Sequence, residues 1–138
     1  MSIPDDKIAI GGEGKVTLNS TEWCVENITI TYNLTEQPIA TTCEYDPVEK
    51  ILWDRNIVTG KSISVEFTMP INKDQNYDGT GPGEITAGKK YTGTVEVYSG
   101  KTYTGTWLIN QMTVTNNGPT GAWNISVSMK SDGAIVRT

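Results

Sequence analysis

The sequence has no histidine, a single phenylalanine, two cysteines, and only four leucines and five alanines among its 138 residues. Without histidine there is no imidazole base for a Ser-His-Asp or Cys-His pair. Zinc bound through imidazole and a histidine pH switch are excluded with it. The chain also lacks a G-x-S-x-G elbow and a phosphate-binding G-x-x-x-x-G-K-[ST] loop. Cys24 and Cys43 do not have the paired spacing of a redox or metal site. Carboxylates are plentiful, but no local motif selects two of them for glycosidase chemistry. The chain is therefore expected to be no enzyme and to hold no cofactor.

Charge and hydrophobic runs exclude further classes. Sixteen acidic against eleven basic side chains leave a net charge of -5. That balance argues against a duplex-binding module, whose affinity rests on cations neutralising phosphates. No window approaches the roughly 18 consecutive apolar residues of a membrane helix. The opening Met1-Ser-Ile-Pro-Asp-Asp-Lys lacks the charged start and apolar centre of a signal peptide. The expectation is a soluble chain without a membrane anchor, made in a cytoplasm, with Cys24 and Cys43 as reduced, at least partly buried thiols; in an oxidising compartment the two could bridge instead.

What the sequence has instead is β-branched: 20 Thr, 14 Ile and 10 Val. Such side chains lose rotamer freedom in helices and pack well on pleated strands. The length suits one domain over 1–138. Lys15 to Leu18 reads as a short strand. Ile28, Ile30, Tyr32 and Leu34 then alternate with Asn27, Thr29, Thr31 and Asn33. Residues 61 to 69 repeat the pattern with Ile63, Val65, Phe67 and Met69. Tyr91 to Tyr98 and Lys101 to Ile109 flank Ser99-Gly100, a tight hairpin link. Trp123, Ile125, Val127 and Met129 mark the inward side of a last strand. Asp46-Pro47-Val48-Glu49, with an acid at the cap and proline after it, predicts one short helix over 47–55, packed by Val48, Ile51 and Leu52. The fold class is all-β with one short helix, an antiparallel β-sandwich or barrel-like protomer. Residues 1–13 read as a mobile N-terminal arm. Residues 70–90 form a long loop of the kind that usually binds something.

Two local signals compete for a role. Asp74, Asn76 and Asp78, followed by Gly79, match the start of a calcium loop. Glu84 falls one position short of the bidentate ligand, however, and Gly81-Pro82-Gly83 precludes the helical exit, so the plainer reading is a polar turn. Trp23, Trp53, Trp107 and Trp123 offer an aromatic platform for sugar, although Trp107 and Trp123 occupy apolar strand faces, where core packing is the default. An immunoglobulin-like or carbohydrate-binding sandwich using loop 70–90 is the alternative function.

The layout over residues 11 to 135 resembles the tail tube proteins of long-tailed bacteriophages and of related contractile-injection tubes. The resemblance runs through Gly14-Lys-Val-Thr-Leu, the long strand Glu22 to Asn33, and Thr41-Thr42 before the short helical stretch. It continues through Gly60-Lys-Ser-Ile-Ser-Val-Glu-Phe, Tyr103-Thr-Gly105-Thr-Trp and Ser-Asp-Gly133-Ala-Ile. The Asn-Asn-Gly-Pro-Thr-Gly turn and the acidic loop are departures that the resemblance does not require. The resemblance implies a virion structural subunit that self-assembles as stacked hexameric rings into a hollow conduit. DNA would pass through the lumen without specific binding, and the partners would be further copies and other tail proteins. It also implies that the arm, the last residues and loop 70–90 (Ile71, Tyr77, Glu84 and Ile85) make the ring-stacking contacts.

Overall fold

The computed structural model describes residue 5 and residues 14–39, 45–52, 55–81, 83–98 and 100–138. The rest of the N-terminal arm, Thr41-Thr42, Cys43 and Trp53 lie outside the described residues. The strands are β1 (Lys15–Leu18), β2 (Thr21–Trp23), β3 (Glu26–Ile39), β4 (Tyr45–Asp46), β5 (Ile51–Leu52), β6 (Arg55–Pro70), β7 (Lys90–Tyr98), β8 (Lys101–Asn116), β9 (Trp123–Ser131) and β10 (Val136–Arg137). All the pairings are antiparallel. The main sheet runs β2-β1-β7-β8-β9-β6-β3, and β10 joins β8. It is an open sheet.

The first half of β8 pairs with β7. A register shift between Ile109 and Gln111 lies where its second half pairs with β9. Such a bulge bends a strand and re-aims its side chains, and here it lets one strand serve both halves of the sheet. Val16 and Leu18 of β1, Val95 of β7 and Trp107 of β8 pack in one core with Val65, Phe67 and Met69 of β6 and Ile125, Val127 and Met129 of β9. Each buried side chain of this size contributes about 1.5–3 kcal/mol. Gly93 and Gly105 face each other across β7 and β8. A Cβ on Gly93 would lie 2.1 Å from the Thr17 carbonyl oxygen, and one on Gly105 would lie 2.5 Å from Ile135. Their bareness lets β1 and the segment before β10 approach closely.

The helix expected over 47–55 is not found among the described residues of that stretch. β4 and β5 pair as a small hairpin, residues 47–50 form its turn, and β6 begins at Arg55. Val48 is 88% exposed, so no stripe packs it against the sheet. Proline after an acid also suits the first bend of a tight turn, and Lys50 at φ 59° has left the helical region.

Candidate functional site

The alternation along β3, β6, β9 and the far half of β8 produces a sheet with two unlike faces. One is the core face. On the other, Thr29 stands opposite Glu66, and Thr31 opposite Ser64. Ser128 lies between Glu66 and Gln111, and Ser126 between Thr68 and Thr113. Asn33 Nδ2 donates to Ser64 Oγ at 2.7 Å, tying two of these side chains together. The face is hollowed into a shallow depression of about 280 Å³. Glu66 is the charged side chain in its lining.

Among the described residues, both margins of this four-stranded unit are open. Among the described residues β3 pairs only with β6. On β8 the β7 pairing ends at Leu108, and Ile109 is the last residue bonded to the chain before β7. Among the described residues, none pairs with 110–116 on the side away from β9. The outer β3 and the outer β8 run in opposite directions, because four strands alternate.

Loop 70–90 is built into the protomer. Ile85 is fully buried and Glu84 is 5% exposed. Asn76 N donates to Glu84 Oε1 at 2.9 Å, Gly81 N to Oε2 at 3.1 Å, and Asn19 Nδ2 to the Glu84 carbonyl at 2.9 Å. Tyr77 packs on Trp23 with ring centroids 6.1 Å apart, and Ile71 is half-buried against the core. In this protomer Glu84 and Ile85 thus hold the loop down and offer little surface to a neighbour.

The calcium-like residues serve local turns. Asp78 Oδ1 accepts from Thr80 N at 3.0 Å and Thr80 Oγ at 2.6 Å. The hydroxyl, then the N–H, hold its carboxyl below the usual range. Asp74 is exposed, with its N–H on Asn72 Oδ1. Among the described residues no group of three or more Cys, Asp or Glu side chains could hold a metal ion. Nor do the described tryptophans make a platform: Trp23 and Trp107 are buried, whereas Trp123 is 52% exposed. The core position expected for Trp123 is thereby corrected, since its strand runs past the edge of the core. Cys24, expected to be partly buried, is exposed.

A feature that no sequence motif announced lies at the opposite end of the sheet from Trp123. A cleft of about 520 Å³ opens between β3, β6 and the C-terminal segment. The Tyr32 and Tyr103 hydroxyls are hydrogen-bonded to each other, and the Arg137 guanidinium lies 4.3 Å from the Tyr103 ring centroid. The C-terminal Thr138 exchanges backbone bonds of 3.0 Å with Thr102, which fixes β10 in place.

No protein-family model and no curated protein matches this sequence. Solved structures do share the fold. A chain from the tail of an empty gene transfer agent (GTA) particle, solved by helical refinement with C6 symmetry, superposes with a TM-score of 0.68 at 13% identity, covering 95% of this chain and 99% of that one. A chain from the virion of a native gene transfer agent particle gives 0.65 at 14% identity, with coverage of 95% and 99%. A chain from the PVC sheath–tube complex of an extracellular contractile injection system, in the extended state, gives 0.61 at 8% identity, covering 97% and 93%. The chain thus shares its fold with chains of gene transfer agent particles and of a contractile injection system over nearly its whole length.

Proposed function

We propose that this protein is a structural, non-catalytic tail tube subunit of a virion or virion-like particle. Copies join edge to edge, β3 of one along residues 110–116 of β8 of the next, and close a ring whose rings stack into a hollow conduit. The carrying observation is the four-stranded unit with free margins of opposite direction. Four strands per copy keep the alternation antiparallel across every junction, so each unpaired edge is satisfied by a neighbour. A head-to-tail contact of this kind forms a closed ring when its rotation allows. The C6 symmetry of the similar GTA tail supports six copies.

The hollowed polar face then lines the lumen. Thr, Ser and Asn keep it wet, and Glu66 in its lining repels phosphate, so DNA passes without being gripped. Other tail proteins would meet the tube at its ends. Negative-stain microscopy of the purified protein tests the reading. Rings or tubes of uniform bore are expected, and a strictly monomeric species at high concentration would sink it.

A further inference from the structure

The inward-facing apolar rows of the sheet are longer than the core that covers them, and they overrun it at both ends. On β3, Ile30 faces the buried Val65, but the next two residues of the row, Tyr32 and Leu34, are 63% and 56% exposed. On β9, Ile125 is 2% exposed and Trp123, next in the row, is 52% exposed; Val114 of β8, opposite Ile125, is 53% exposed. These overruns lie at opposite ends of one strand. Trp123 begins β9, and Ser131, its last residue, lines the cleft. Nine strand residues separate them by about 27 Å.

We propose that Trp123 of one copy seats in the cleft of a second copy, against Tyr32, Leu34, Ile63 and Ile135, and joins copies end to end. This rests on the tube reading and names its axial contact. Charge favours this occupant. The cleft is lined by Lys61 and Arg137 and by no carboxylate, and an indole face attracts cations more strongly than other aromatic rings. Exposed Asp74, next to Lys73, lies at the Trp123 end, three residues past Ile71, whose N–H donates to the Trp123 carbonyl at 3.0 Å.

The knob is preorganised as well. The turn before it is braced by Asn117 Nδ2 on the Ala122 carbonyl at 2.9 Å and by Gly121 N on the Gly118 carbonyl at 3.2 Å. A knob at one end and a hole at the other make a heterologous contact that does not close on itself, so it propagates a column. One indole buries far less than the roughly 1,200 Å² of a stable pair. The contact therefore acts only when repeated around a ring, as multivalent linkage.

The test uses full-length chains with Cys24→Ser and Cys43→Ser, one also carrying Trp123→Cys and the other Leu34→Cys. They are mixed, assembled and treated with a short bismaleimide. A covalent dimer in the mixture and in neither variant alone is expected. Tubes visible by microscopy with no such dimer would overturn the contact and leave the tube reading standing. Equal dimer in the single variants would overturn it too. Failure of the unmodified protein to assemble would remove both. As a second measure, Trp123→Ala should raise the concentration needed for assembly about tenfold or more, with circular dichroism unchanged. An unchanged threshold contradicts the contact.

Discussion

Two stretches of the same apolar rows behave differently. In the middle of β9, Ile125, Val127 and Met129 are all within 2% of complete burial; one step beyond, Trp123 is half open to solvent. On β3 the same change occurs between half-buried Ile30 and exposed Tyr32. The pleat and the residue chemistry are continuous across the boundary. What changes is the presence of the second layer, formed by β1, β7 and the near half of β8. A row that stays apolar after its cover ends is an unfinished core, and large exposed apolar surface of this kind marks an interaction site. The polar face of the same strands needs no cover and is suited to water.

This contrast can be broken by mutation, most strongly in the covered region. Trp107 is fully buried, and its indole N–H donates to the Gly93 carbonyl at 3.2 Å. Trp107→Ala should cost about 3–5 kcal/mol by urea denaturation, whether or not the protein is assembled. Glu84→Ala comes next. It strips the acceptor from two N–H groups in the loop, and an expected loss of about 1–3 kcal/mol identifies the loop as part of the folded protomer. Trp123→Ala should change protomer stability by no more than about 0.5 kcal/mol, because the side chain is an overrun and not core.

The smallest effect concerns the cleft. Burial, and then the Tyr32 hydroxyl, raise the Tyr103 phenol above its ordinary 10.0. A raised phenol favours the neutral form in the folded state. Its contribution is whole below the unfolded value and is lost as pH climbs through the raised one. Tyr32→Phe should bring the Tyr103 transition back toward 10.0 in an ultraviolet titration.

The strands were legible because a period of two survives in the residues: Val16 and Leu18, Val65, Phe67 and Met69, and Ile125, Val127 and Met129 are all buried as their alternation requires. The hairpin at Gly100, with φ 80°, was legible from turn chemistry. The supposed helix was not, since Asp46-Pro47 starts a tight turn as readily as a helix and the stretch was too short for periodicity to decide. Trp123 was misplaced because alternation reports which face a side chain takes, not where the covering layer stops. Loop 70–90 read only as a long loop without strand period, because its order comes from one buried carboxylate and one buried isoleucine. The cleft depends on Arg137 returning to Tyr103 across the fold, and no local spacing encodes that.

The central claim is that the free margins of the four-stranded unit pair with neighbouring copies. Amide hydrogen exchange, compared between dilute monomer and assembled protein, reads those margins directly. Strong new protection along β3 and residues 110–116 on assembly, with β6 and β9 protected in both states, is the predicted result. Assembled protein in which β3 and 110–116 exchange as fast as in the monomer would contradict the account.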